Sequence, residues 1–165
     1  MVLNLTLQTA SPEETQEVGR AMGVAAQPGD VFLLAGPLGA GKTCLVQGFA
    51  RGLQVKDTVR SPTFVLMSRH QGRLTLHHID LYRIGDPAEA WDLGIDEQLF
   101  DEGVCMVEWA DRAADIFPEG CLWVHLDYAT GVTHRTITFS KGSPRYRPML
   151  KRLMETFPPA RDAGV

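Results

Sequence analysis

The chain has 165 residues, 44% hydrophobic and 22% charged, with a formal net charge of −4. That length supports a single domain over residues 1–165, with a core that needs no disulfide staples. The charge excludes a protein that grips nucleic acid by bulk basicity, and sequence-specific DNA binding is not expected. No apolar segment approaches the roughly 20 residues of a membrane span, so no membrane partner is expected and cytoplasm is the expected compartment.

Val2, Leu3, Leu5 and Leu7 predict a first strand. Ser11-Pro12-Glu13-Glu14 then reads as a helix start. Ser11 is the N-cap, Pro12 takes the first helical position, and Glu14 closes a capping box. The helix buries Val18, Met22 and Ala25, and Pro28-Gly29-Asp30 ends it. The apolar run Val31-Phe32-Leu33-Leu34-Ala35 predicts a buried strand.

Next comes Gly36-Pro37-Leu38-Gly39-Ala40-Gly41-Lys42-Thr43, which fits the phosphate-binding pattern G-x-x-x-x-G-K-[ST]. A polyphosphate is held by backbone N–H groups converging on a tight loop. Gly36, Gly39 and Gly41 let the chain turn and let phosphates reach the backbone. Lys42 would set a point charge on the β and γ phosphates, and the Thr43 hydroxyl would ligate Mg²⁺. A helical pattern over residues 44–53, with Leu45, Val46, Phe49 and Ala50 apolar, puts a helix N-terminus behind the anion.

Residues 54–61 read as a loop. Ser61-Pro62-Thr63-Phe64 lies about as far past the phosphate loop as the first switch of a GTPase, so Thr63 or Ser61 could close on Mg²⁺ and the γ-phosphate. A plain loop entering a strand fits the spacing equally well. Residues 64–70 and 73–79 predict a hairpin turning at Gln71-Gly72. The second strand runs into Asp80, and the later strand Val104-Cys105-Met106-Val107 runs into Glu108. Each acid suits the Mg²⁺ role, and together one can bind the ion while the other orients water. His77 and His78 point to opposite faces of a strand and lack further ligands at zinc spacing, so imidazole metal binding is not expected.

Residues 86–100 predict one or two short helices broken at Leu93-Gly94, and residues 110–117 predict another. Residues 122–128 and 132–139 predict a second hairpin, with Arg135 on its return strand. Residues from 144 onward predict a last helix through Leu150, Leu153 and Met154, its basic Arg145, Arg147, Lys151 and Arg152 facing solvent. Residues 158–165 predict a frayed tail. Cys44, Cys105 and Cys121 show no paired spacing; Cys105 and Cys121 sit in apolar runs as free thiols.

The single asparagine, Asn4, rules out the N-K-x-D guanine-reading motif of GTPases. The hairpin-rich second half favours a compact ATPase or switch over a small-molecule kinase. A non-catalytic nucleotide-dependent interaction module is the further alternative.

The phosphate loop, Ser61-Pro62-Thr63-Phe64, His78-Ile79-Asp80-Leu81-Tyr82-Arg83 and Val107-Glu108-Trp109 occur in the order and spacing of the TsaE (YjeE) family, which the chain resembles over residues 3–139. The resemblance implies an α/β, P-loop NTPase-like fold with a mixed parallel and antiparallel central sheet flanked by helices. It implies an Mg²⁺-dependent ATP hydrolase, weak alone, that supports the TsaB–TsaD pair in making N6-threonylcarbamoyladenosine at position 37 of tRNA. The tRNA would be reached indirectly, through that pair. It assigns Lys42, Asp80 and Glu108 to catalysis, and Thr43 and Glu108 to Mg²⁺. It assigns nucleotide contacts to Gly36, Gly39, Ala40, Gly41, Lys42, Thr43, Cys44, Thr63, Trp109 and Arg135, with Thr9 to Thr15 framing the adenine. Pro37 and Cys44 stand where relatives carry Asp and Thr, which leaves the phosphate chemistry unaltered.

Overall fold

Strand β2 (Val31–Ala35) is buried along its whole length, and the rest of the sheet is built outward from it. The computed structural model describes residues 4–60, 67–99 and 102–160. Around β2 lie β1 (Leu5–Thr9), β3 (Met67–Gln71), β4 (Thr75–Asp80), β5 (Val104–Glu108), β6 (Leu122–Tyr128) and β7 (Arg135–Ser140). They form one seven-stranded sheet in the order β1-β7-β6-β2-β5-β4-β3. β2 runs parallel to β5 and β6, and β4 runs parallel to β5. The outer pairs β1–β7, β6–β7 and β3–β4 are antiparallel. The mixed sheet implied by the family resemblance is therefore present.

Helices cover both faces, which is why β2 reads as a continuous apolar run rather than an alternating one. Phe32 and Leu34 pack toward α1 (Pro12–Ala25), α2 (Lys42–Gly52) and α5 (Arg147–Thr156). Val31 and Leu33 pack toward α3 (Pro87–Asp92), α4 (Ile95–Leu99) and the 3₁₀ turns of Ala110–Ile116.

Helix α1 begins as its sequence dictates. The Ser11 hydroxyl accepts the Glu14 N–H at 3.2 Å. Glu14 bends back one residue further than a capping box requires, accepting the Ala10 N–H at 2.6 Å. The buried face is Thr15, Val18, Gly19, Met22 and Gly23, with Ala25 only half-buried. The glycines set how close the helices come. A Cβ on Gly19 would lie 2.2 Å from the Leu45 carbonyl oxygen, and one on Gly48 would lie 2.0 Å from that of Gln16. The backbones of α1 and α2 thus touch directly.

Several expected boundaries move. The β3–β4 turn falls at residues 72–74, because Arg73 leaves the strand to cap α1, donating to the carbonyls of Gly23 at 2.7 Å and Ala26 at 3.1 Å. β7 starts at Arg135, since Val132 stands in solvent at the loop tip. Ala110–Ile116 is 3₁₀ and breaks at Ala113. Helix α5 buries Met149, Leu150 and Leu153, while Met154 is exposed. The end read as a tail is held as far as Ala160, whose N–H donates to the Thr6 carbonyl at 2.9 Å beside a Leu7–Pro159 bridge. The strand start at Val2 and Leu3, Thr63 and its neighbours 61–66, the helix end at Phe100, and residues 161–165 lie outside the described residues.

Candidate nucleotide-binding site

The site sits where β2, β4 and β5 end and α2 begins. Gly41 caps α2 in a left-handed conformation (φ 105°) and has no side chain to cap the helix. The first-turn N–H groups and the helix dipole therefore face the loop side, which favours an anion. Gly36 (φ 140°) is required twice over: a Cβ there would also lie 2.1 Å from the Leu126 carbonyl oxygen.

Lys42 is 5% exposed. Its ammonium donates to the Gly36 carbonyl at 2.6 Å and the Pro37 carbonyl at 2.9 Å. It also lies 3.9 Å from the centre of the Trp109 ring. Burial pulls its pKa below the ordinary lysine value, against the opposing pull of Glu108, Asp111 and Asp80. Trp109 holds left-handed backbone (φ 57°), uncommon for a residue with a side chain. That turn swings the chain out of β5 and brings the indole to Lys42. Tyr82 tilts against Trp109 with ring centres 4.8 Å apart, and the Arg112 guanidinium lies 4.8 Å over Tyr82.

The two acids come together through strand register, which pairs Asp80 with Glu108 across β4 and β5. The Thr43 hydroxyl donates to Glu108 Oε1 at 2.7 Å. Glu108 Oε2 lies 2.5 Å from His78 Nε2. Asp80 is nearly buried, and its Oδ1 accepts the Tyr82 N–H at 2.9 Å. Burial pushes its carboxyl above the ordinary aspartate pKa; the Tyr82 bond opposes this and the nearby Glu108 charge adds to it.

These residues fit Mg²⁺. Thr43 and Glu108 offer two hard oxygens side by side. Among the described residues no three His, Cys, Asp or Glu side chains form a cage. Mg²⁺ is usually held by one or two protein oxygens, with phosphates and water completing its shell.

On the other flank of the loop is a cavity of about 220 Å³, lined by Pro12, Thr15, Gly39, Ala40, Gly41, Cys44, Thr133 and Arg135. Thr9 stands behind this wall and bonds the Thr15 hydroxyl at 2.8 Å. Arg135 donates to the Gly39 carbonyl at 3.3 Å and lies 4.8 Å over the Tyr128 ring, whose hydroxyl donates to the Leu38 carbonyl. The structure thus gathers Gly39, Ala40, Gly41, Cys44 and Arg135 around the cavity. Lys42, Thr43, Asp80, Glu108 and Trp109 gather on the opposite flank of the loop, with Gly36 at the loop's entry. Thr63 is outside the described residues. Sequence reasoning placed Thr15 in the segment framing the adenine, but it missed Tyr128 and gave His78 no part in the site. Only His78 left a signal: it precedes Asp80 by two positions on a strand, so the two share a face.

A phosphate-loop helix springing from the central strand, with two acids at neighbouring strand ends, defines a P-loop NTPase-like, nucleotide-binding fold. The sequence profile described as "TsaE: Threonylcarbamoyl adenosine biosynthesis protein TsaE" matches residues 9–137. The chain belongs to the TsaE family. Among its relatives is the "tRNA threonylcarbamoyladenosine biosynthesis protein TsaE" of Bacillus subtilis strain 168, 41% identical over 90% of this chain and 93% of that one. The protein of the same description from Treponema pallidum is 40% identical over 70% of this chain and 86% of its own. The crystal structure of B. subtilis YdiB superposes with a TM-score of 0.78 at 36% identity, covering 94% of this chain and 97% of that one. Among the described residues no helix is long and apolar enough to cross a membrane.

Proposed function

We propose that this chain is the Mg²⁺-dependent ATP hydrolase of tRNA threonylcarbamoyladenosine synthesis, slow alone and driven in complex with the TsaB–TsaD pair. The observation that carries the reading is the Thr43–Glu108 contact of 2.7 Å beside the buried Lys42. It brings two hard oxygens suited to Mg²⁺ beside a cation suited to phosphate, which supports the reading.

The loop amides and Lys42 bind the β and γ phosphates, with Lys42 exchanging the Gly36 and Pro37 carbonyls for phosphate oxygens. Thr43 and Glu108 would hold Mg²⁺, which would supply charge neutralisation at the phosphates. Both Glu108 oxygens have donors already. With Glu108 given to the metal, Asp80, fixed by the Tyr82 N–H and raised in proton affinity by burial, is the group that orients the attacking water. The cavity lined by Pro12, Thr15, Cys44 and Arg135 takes the adenosine end.

Partner dependence has a physical route. Tyr82 is 43% exposed and tilts against Trp109, which lies against Lys42. A protein docking over Tyr82 and Arg112 would shift the indole and release the ammonium toward the phosphates.

The test measures phosphate release and modified-tRNA yield together. The protein is assayed with ATP and Mg²⁺, alone and with TsaB–TsaD, tRNA and threonylcarbamoyl-adenylate. Stimulated hydrolysis with repeated rounds of modification supports the reading. Phosphate transferred only to an added metabolite would make the protein a kinase. Binding without turnover, even in the complex, would make it a non-catalytic module.

A further inference from the structure

We propose that His78 is a positioning residue for Glu108, donating from Nε2 to hold the metal-binding carboxylate in one orientation; this rests on the Mg²⁺ reading above. His78 lies on β4 and Glu108 on β5, and both are buried. The imidazole Nε2 is 2.5 Å from Oε2, while the Thr43 hydroxyl takes Oε1 at 2.7 Å. Each carboxylate oxygen thus has its own donor on a different element. With both bonds made, Glu108 has one orientation, and the oxygen shared with Thr43 faces the phosphate loop.

The other ring nitrogen identifies the tautomer. Nδ1 is buried and has no hydrogen-bond partner among the described residues. A proton there would leave a buried N–H unmet, which costs more than a bare acceptor in the same place. The proton therefore belongs on Nε2, where the carboxylate accepts it. An apolar side chain of this size would suit a strand interior better, since buried polar groups cost free energy unless bonded. What the imidazole offers in exchange is its bond to Glu108. Partners that orient metal-binding carboxylates are typically worth 10–100-fold in metal affinity.

The test uses calorimetric titration of the whole protein with ADP, in Mg²⁺ and in EDTA, on wild type, His78→Phe, His78→Asn and His78→Gln. Gln carries its amide nitrogen at the same bond count as Nε2, whereas Asn places it one bond short. We expect Phe and Asn to lose about tenfold or more of the Mg²⁺-dependent gain in ADP affinity. Their affinity in EDTA should stay at the wild-type value, and Gln should retain the gain. Thermal melts identify any variant that fails to fold; if Phe fails, the Asn and Gln pair decides. A full Mg²⁺ gain in Asn or Phe, or an equal loss in Gln, overturns the assignment. A wild-type protein that binds ADP with no Mg²⁺ gain overturns the metal reading itself, and this inference with it.

Discussion

Lys42 is held by two loop carbonyls and an indole face, so truncating it removes a cation without opening the core. Lys42→Ala should fold normally and lose about a hundredfold or more in kcat/KM for ATP, the scale of one preorganised charge at a transferring phosphoryl group. Phosphate release at wild-type rate would end the catalytic reading. The same contact supplies an optical reporter. Trp109 lies 3.9 Å from the ammonium, and bound phosphates would draw that ammonium away. Titration with ADP should therefore change the tryptophan emission, and Trp109→Phe should abolish the change. If Trp91→Phe or Trp123→Phe abolishes it instead, Lys42 does not leave the ring. The phosphate loop and both acids were legible because short chemistry-bearing patterns carry their own spacing. His78 was read only as a poor zinc ligand, because its partner lies 30 residues away on another strand.

Elements were legible where one period dominates, and less so where tertiary contacts set the ends. The continuous run of β2 and the capped start of α1 follow from local chemistry. The turn at residues 72–74 does not, because Arg73 is drawn to the end of α1 by carbonyls that no local pattern reveals. Nor does the α1–α2 contact, whose glycines look like weak helix positions until the helices are seen to touch. Gly48→Ala should cost about 1–3 kcal/mol, the usual penalty of overpacking a close contact. Urea unfolding would measure it, and unchanged stability would mean that the helices separate freely. At the far end of β2, Asp30 accepts the Gln27 N–H at 2.8 Å and pairs with Arg145 at 3.0 Å, joining the end of α1 to the start of the last helical segment. Burial nevertheless leaves its carboxyl above the ordinary aspartate pKa, with both partners pulling it down. A raised folded-state pKa means that the contribution to stability is present below the unfolded value, near 3.8, and is lost as pH rises through the folded value. Wild type should therefore lose ground to Asp30→Asn between pH 4 and neutrality. Urea midpoints for the two proteins at several pH values check the sign; a difference independent of pH would place Asp30 at its ordinary pKa.

At the scale of the molecule the open sheet has two edges, β1 and β3, and an exposed edge strand is a template for pairing with another chain. The β1 edge is covered by the chain's own end, through the Leu7–Pro159 bridge and the Ala160 N–H on the Thr6 carbonyl. That cover was not legible in the sequence, because Pro-rich residues after a last helix carry no period and read as a tail. It bears on the partner-dependent activity proposed above, since a chain that pairs with itself competes with docking to a different protein. Truncation after Thr156 uncovers β1 while leaving the phosphate loop, Asp80 and Glu108 in place. The truncated protein should self-associate with rising concentration in sedimentation velocity, while its ADP affinity stays within about twofold of wild type, as expected for sites that share no contacts. Ala160→Pro is the narrower version: it deletes one N–H donor and should cost about 1 kcal/mol. A truncated protein that stays monomeric at every concentration, with an unchanged melting temperature, would show that the terminal segment merely lies on β1 and does not guard it.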